Sequence, residues 1–212
     1  MQKLFENYQA VIYDLDGVLI DSRDANLIYY NRLLQHFGLA PVRPEHWEII
    51  QTRTSGEVIE LLFPDAGLAA AARAYEKQMT NDDIIPLIRL EPFVRSTLLE
   101  LRRGCRTAIA TNRGKSLPLV LAYHHLTPLF DLTVSSAQIQ SPKPDRRYLE
   151  LILETFALSP RQALYVGDAQ VDVQLAAAVG VPFVAYKNPR LSALSHIHDH
   201  RQLLSLVRPV RP

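Results

Sequence analysis

Four short apolar runs constrain this chain more than any other feature. They are AVIYD (10–14), RTAIAT (106–111), ALYVGD (163–168) and PFVAY (182–186), with a weaker fifth, DLTVS, at 131–135. Runs this short and this apolar suit strands of a parallel sheet covered on both faces. Helical patterns lie between them: over 145–157, Leu149, Ile152, Leu153 and Phe156 recur at i, i+3, i+4 and i+7, one stripe of a helix. Strands alternating with helices predict right-handed βαβ units, and so an α/β, doubly wound, Rossmann-like parallel sheet.

The first crossover is too long for this pattern. From Asp14 to Arg106 the chain runs for roughly ninety residues, far beyond one connecting helix. The stretch carries its own helical signals. Leu27, Tyr30, Leu34 and Phe37 share one face of 22–37, and Gly38 is placed to end that helix. Val58, Leu61 and Leu62 suggest a second helix, and the alanine-rich 68–79 a third. A helical domain over 21–90, inserted into a core made of 1–20 and 91–212, is the expected organisation.

Composition narrows the class. Lysine plus arginine (23) nearly balance aspartate plus glutamate (22), for a net charge of +1, which argues against a nucleic-acid or polybasic membrane footprint. The single cysteine, Cys105, excludes an intrachain disulfide framework and a cysteine-based zinc site. The longest apolar run, Leu175 to Tyr186, contains Gly180 and Pro182 and is too short to span a bilayer. The opening MQKLFENYQ lacks the form of a signal peptide, so a cytoplasmic location is expected. Whether the chain is a monomer or a homodimer is left open.

In open α/β sheets ligands bind outside the carboxyl ends of the strands. There the chain places Asp14-Leu15-Asp16-Gly17 after the first run, Thr111-Asn112-Arg113 after the second and Gly167-Asp168 after the run at 163–168, with Asp172 one turn into the next helix. Lys143 sits in a Pro-flanked loop, SPKPD. Four carboxylates, a hydroxyl and an amine are thus expected on one rim. Converging carboxylates are costly unless a positive group joins them, and Lys143 supplies a single charge. A divalent cation is the natural remainder, and all-oxygen donors favour Mg²⁺. Oxygen-bound magnesium beside a lysine and a hydroxyl is equipment for phosphoryl transfer.

DLDGVL (14–19), Thr111, Lys143 and GDAQVD (167–172) together resemble the four motifs of the haloacid dehalogenase (HAD) superfamily of phosphohydrolases, in the family's order. The inserted helices resemble the cap of the subfamily that includes phosphoglycolate phosphatase and β-phosphoglucomutase, and the likeness extends over about residues 8 to 190. The resemblance implies a Mg²⁺-dependent phosphatase of a small phosphorylated metabolite. Asp14 would be the nucleophile, forming an aspartyl-phosphate, and Asp16 the general acid and then base. Acid behaviour near pH 7 requires a raised pKa at Asp16, which neighbouring carboxylates would supply. Thr111 and Lys143 would hold the phosphoryl oxygens, with Asn112 beside them in substrate binding. The carboxylates of Asp14 and Asp168 and the backbone carbonyl of Asp16 would ligate Mg²⁺, with Asp172 direct or through water. Gly17 would permit the tight exit from the strand. The presence of Asp16 favours ester chemistry over dehalogenation, because halide leaves without a proton.

Arg53, in QTRTSGEV (51–58), is a surface arginine on the plain view. In the family's terms a cap loop reaches the site, where an arginine would take a substrate carboxylate or second phosphate. Two departures from the family pattern stand out: Arg146, where a proline often follows the motif lysine, and the tail YKNPRLSAL in place of a tryptophan-glycine ending. The alternatives are a phosphosugar mutase with the same two aspartates, and a non-catalytic module that binds a phosphorylated metabolite.

Elsewhere plain roles are expected. His196, His198 and His200 read as a solvated turn before the last helix, and His124-His125 as a helix end. Trp47 is expected in the core of the inserted domain, and Cys105 to pack at the start of a strand.

Overall fold

The computed structural model describes residues 8–80 and 82–207. The expected core also takes in 1–7 and 208–212, which lie outside the described residues. In chain order the elements are β1 (Ala10–Tyr13), β2 (Ile20–Asp21), α1 (Arg23–His36), α2 (Trp47–Thr52), α3 (Ser55–Leu62), α4 (Ala66–Glu76) and β3 (Arg89–Leu90). They are followed by α5 (Val94–Leu101), β4 (Arg106–Thr111), α6 (Leu117–Tyr123), β5 (Leu132–Ser135), α7 (Ser136–Ile139) and α8 (Arg147–Phe156). The chain closes with β6 (Ala163–Gly167), α9 (Gln170–Val179), β7 (Phe183–Tyr186), β8 (Ser195–Ile197) and α10 (Leu203–Leu206).

Six strands form one sheet in the order β5-β4-β1-β6-β7-β8, and every pairing in it is parallel. β1 lies between β4 and β6, with Tyr13 opposite Ile109 on one side and Val166 on the other. Side chains alternate across it: Val11 and Tyr13 enter one apolar cluster with Leu98, Leu101 and Val120, while Ala10 and Ile12 enter a second with Leu149, Ile152 and Leu175. Both faces are covered, which explains the near-continuous apolar strands. α8 carries the anticipated stripe, with Leu149, Ile152, Leu153 and Phe156 all buried, and ends at Ala157 in the left-handed region.

Between β1 and β4 the chain builds α1 to α4 on a third cluster, formed by Tyr30, Leu33, Leu34, Val58, Ile59 and Phe63 among others. α1 stops before Gly38, whose φ of +67° suits its place. α3 opens with a capping box in which the Thr54 N–H donates to Glu57 Oε2 at 2.9 Å and the Glu57 N–H reaches back to Thr54 Oγ1 at 3.4 Å. The strands leading into and out of these helices pair antiparallel, Ile20 with Leu90 and Asp21 with Arg89.

Two expectations are corrected here. The histidine segment is a solvated turn only in part: His196 and His198 are exposed, but 195–197 is an edge strand, and His200 is buried, its Nε2 2.8 Å from the Val18 carbonyl and its ring stacked on Tyr186. An apolar Ile197 between the histidines draws the segment onto the sheet. Trp47 is half-buried rather than core, with the Arg23 guanidinium 5.3 Å from its ring. Cys105 does pack, and burial pushes its thiol up to about 11. His124 closes α6. Among the described residues no helix is long and apolar enough to cross a membrane.

Candidate active site

The carboxyl ends of β1, β4 and β6 meet at the middle of the sheet, and their exits bring the charged residues together. Asp14 follows β1 directly, its N–H donating to the Val166 carbonyl at 2.9 Å, which holds it in strand register beside β6. Gly17 turns the chain at φ +79°, and a Cβ there would strike the Asp168 carboxylate, so the strand exit and the acidic cluster can be this close only with glycine. Gly167 has the same relation to Asp172, whose Cβ would lie 2.5 Å from an added one.

Lys143 is the hub. Its ammonium donates to Asp172 Oδ1 at 2.7 Å and to the Tyr165 hydroxyl at 3.2 Å, and lies 2.9 Å from Asp14 Oδ1, with only 2% of its side chain exposed. The Tyr165 hydroxyl donates to the same Asp172 oxygen at 2.7 Å. The other oxygen of Asp172 accepts the backbone N–H groups of Asp168 at 3.3 Å and Ala169 at 3.1 Å. Ligand atoms of Asp14, Asp168 and Asp172 all lie within 4.8 Å of one another.

The charges respond as the geometry requires. Burial opposes the Lys143 charge, but Asp14 and Asp172 outweigh it and hold the ammonium protonated, above its ordinary range. Burial pushes the Asp14 carboxyl up to about 7; Lys143 acts against that rise and Asp172 adds to it. Asp168 is raised well above the usual carboxylate range by burial, then by Asp172 and Asp14. Three carboxylates against one buried ammonium therefore leave the cluster short of positive charge.

Asp16 departs from expectation. Its neighbouring carboxylates were expected to raise its pKa. Burial does push that way, but Arg113 overrides it and holds the carboxyl below its ordinary value. The guanidinium grips both oxygens, Nε to Oδ2 at 2.9 Å and Nη2 to Oδ1 at 2.5 Å, and the Ser22 hydroxyl donates to Oδ1 at 2.5 Å. A bidentate arginine contact of this kind stabilises the ionised form strongly. Arg113 was expected at the rim but without a role, and neither Ser22 nor Tyr165 was anticipated at the site. Two signals pointed to them: a cation directly after the Thr-Asn strand end, and a phenol in an otherwise aliphatic buried strand, where its hydroxyl needs a partner.

Thr111 ends β4, buried, with its Oγ1 accepting the Arg113 N–H at 3.1 Å, which leaves the hydroxyl hydrogen to be donated elsewhere. The Asn112 side chain, expected on the substrate, is engaged by the protein: its amide donates to the Thr52 carbonyl, and its Oδ1 accepts from the Lys143 N–H and the Tyr148 hydroxyl. Arg53 stands at the end of α2, more than half exposed and paired with Glu57 at 3.1 Å. Asp14, Asp16, Thr111, Asn112, Arg113 and Arg53 all line one cavity of about 630 Å³ between the sheet rim and the inserted helices.

Residues 11–186 match the model of the haloacid dehalogenase-like hydrolases. The chain belongs to that family. It is 32% identical to the phosphoglycolate phosphatase of Rhodobacter capsulatus, over 93% of this chain and 96% of that one. A crystal structure of a HAD-superfamily hydrolase of subfamily IA, variant 1, from Geobacter sulfurreducens is 35% identical, with a TM-score of 0.78 over 94% of this chain and 96% of that one. A predicted phosphoglycolate phosphatase from Haemophilus somnus, 19% identical, shares the fold at a TM-score of 0.84, covering 94% of this chain and 97% of that one. As a member of this HAD family, the protein is a phosphoric monoester hydrolase with the six-stranded parallel core described above.

Proposed function

We propose that the protein is a Mg²⁺-dependent phosphatase of a small phosphorylated metabolite, phosphoglycolate or a close relative, working through an aspartyl-phosphate on Asp14, with residues 21–90 serving as a cap domain. The observation that carries this is the pairing of Asp14 with buried Lys143 at 2.9 Å inside a three-carboxylate cluster. The separate apolar cluster of α1–α4 and the paired strands at its two ends support the cap. The substrate class follows the named relatives.

The donor set fits a hard divalent cation: three carboxylates converge, all donors are oxygen, and the positive charge present is too small. Asp14, Asp168 and Asp172 would hold it, with the Asp16 carbonyl offering a further oxygen. When bound, Mg²⁺ would offset the charge of the phosphoryl group.

The Asp14 carboxylate attacks phosphorus, the Asp14–phosphorus bond forms and the ester bond breaks. Lys143 and the Thr111 hydroxyl steady the phosphoryl oxygens. The leaving alkoxide takes its proton from Asp16. Because Arg113 holds Asp16 ionised at rest, that proton comes from the phosphoryl group of a substrate bound as its monoanion and is relayed through Asp16 to the leaving oxygen. Asp16, now a carboxylate, then takes a proton from water, which attacks the aspartyl-phosphate and releases inorganic phosphate. The helices over the cavity keep bulk water away during these steps.

The test is inorganic phosphate release from a panel of phosphate esters, for wild type and Asp14→Asn, each with Mg²⁺ and with EDTA. Turnover that requires both Mg²⁺ and Asp14 is expected, with phosphoglycolate among the best substrates. Total ester conserved while isomers interconvert would identify a mutase, and equal activity in Asp14→Asn would overturn the mechanism.

A further inference from the structure

Arg113 is engaged along one edge and idle along part of another. Its Nε and Nη2 hold Asp16, and its Nη1 donates to the Ser116 hydroxyl at 3.1 Å. A guanidinium has five N–H groups, so two remain, one on each terminal nitrogen, and among the described residues neither has an acceptor. Only 12% of the side chain is exposed, and it forms part of the cavity wall. The wall has four other cations, but Arg53 and Arg73 are more than a third exposed and paired with Glu57 and Glu60, and Lys77 and Lys115 are exposed. Arg113 is therefore the cation of that wall that is both withdrawn from water and short of acceptors.

Buried, unmatched guanidinium donors favour an anion, and the planar fork matches a carboxylate. The place of that anion is set by Asp16. Both carboxylates would sit on one guanidinium, so the substrate's anionic group must lie close to the ester oxygen that Asp16 serves. We propose that Arg113 is a specificity-determining residue: it takes a substrate carboxylate on its two unpaired N–H groups while its other edge positions Asp16, and so selects phosphate monoesters whose carboxylate is one or two bonds from the ester carbon. This rests on the phosphatase function proposed above and adds the residue that reads the leaving group. A longer ester with a remote charge cannot meet both demands. An ester with no second charge leaves the two donors idle.

The experiment separates binding from turnover. In the Asp14→Asn protein with Mg²⁺, calorimetry measures the Kd of 2-phosphoglycolate and of methyl phosphate, which has the same phosphoryl group and no carboxylate. Adding Arg113→Met is expected to weaken 2-phosphoglycolate at least tenfold and to change methyl phosphate by less than twofold. Arg113→Lys keeps the charge but not the fork and is expected to lose an intermediate three- to tenfold on 2-phosphoglycolate alone; it decides the matter if Arg113→Met does not fold. Equal losses on both probes, no loss on either, or an Asp14→Asn protein that does not prefer 2-phosphoglycolate would overturn the assignment. Phosphate release by wild type is followed separately. If it is absent while the binding difference persists, the proposed hydrolysis fails and the carboxylate-reading role of Arg113 stands.

Discussion

The side-chain amide of Asn112 donates to the backbone carbonyl of Thr52 at 2.8 Å, joining the end of β4 to the residue before Arg53. Its Oδ1 accepts from the Lys143 N–H at 2.7 Å and from the Tyr148 hydroxyl at 3.3 Å. One amide thus ties together the sheet rim, the lysine loop and the end of α2. Asn112→Ala would leave the Lys143 N–H and the Thr52 carbonyl without these partners, at about 1–3 kcal/mol for each buried group left unmatched. We expect KM for the best ester to rise about tenfold, as one lost positioning contact of ~1.4 kcal/mol implies, with a smaller change in kcat. Hydrogen exchange should quicken at residues 50–58. Unchanged exchange there would show that the tie does not hold the loop.

Lys143 faces Asp14 and Asp172 with almost none of its side chain exposed. Removing one member of a buried ionic group leaves the others uncompensated, at about 3–5 kcal/mol. Lys143→Met is therefore expected to lower Tm sharply in EDTA and to abolish measurable phosphate release. Because the remaining carboxylates still attract a divalent cation, Mg²⁺ should raise the Tm of the variant without restoring turnover. A variant as stable as wild type in EDTA would mean that the carboxylates are protonated when the lysine is gone.

The raised carboxyls of Asp14 and Asp168 give the metal-free protein a definite pH dependence. A carboxyl with a higher pKa in the folded chain binds protons more tightly there than when unfolded. Stability is then greatest below the unfolded value and falls as pH rises, for Asp14 from about 4 through about 7. Asp168 adds to the fall in the same direction. Asp16 works oppositely: held low by Arg113, it adds stability above the ordinary carboxylate pKa and loses it toward acid. The Asp16 contribution lies below this window, while His124 and His200, lowered by burial, add stability as pH rises toward the ordinary histidine value; the larger shifts of Asp14 and Asp168 leave the expected net trend downward from pH 5 to pH 8 in EDTA. Mg²⁺ bound to the ionised cluster, as proposed, should flatten or reverse that trend. Thermal melts at both pH values, with and without Mg²⁺, read this directly.

The sheet was legible because its physics is local. A parallel strand covered on both faces needs an apolar run, and AVIY, RTAIAT and FVAY supply it between polar ends. The inserted helices announced themselves through the length of the gap and through Tyr30, Leu34, Val58 and Leu62, all buried together. α2 carried less signal, since only Ile50 of its six residues is buried. The acidic residues at the strand ends could be named because topology alone brings strand ends to one rim. What no pattern carried was pairing. That Arg113 would take Asp16, that Tyr165 would serve Asp172 and that Asn112 would be engaged by Thr52 depend on side-chain directions across segments far apart in sequence. The direction of the Asp16 shift failed for this reason: its neighbours in sequence are acidic, and its partner in space is basic.

Gly17 and Gly38 form a natural control pair for the last prediction. Both lie at positive φ, +79° and +67°, where an alanine is strained by about 1–2 kcal/mol. They differ in what a methyl group would meet. At Gly38 there is nothing within 4 Å among the described residues, whereas at Gly17 the methyl would collide with the Asp168 carboxylate. Gly38→Ala should cost only the backbone term and leave phosphate release unchanged, since it lies at the end of α1 away from the cluster. Gly17→Ala should cost more than that, and its excess over Gly38→Ala measures the displacement of Asp168. Because Asp168 is one of three carboxylates in the cluster, the same variant should need at least tenfold more Mg²⁺ for half-maximal stabilisation in thermal melts. If the two alanine variants lose equal stability and keep equal Mg²⁺ midpoints, Asp168 moves aside freely and its position is not fixed by the turn at Gly17.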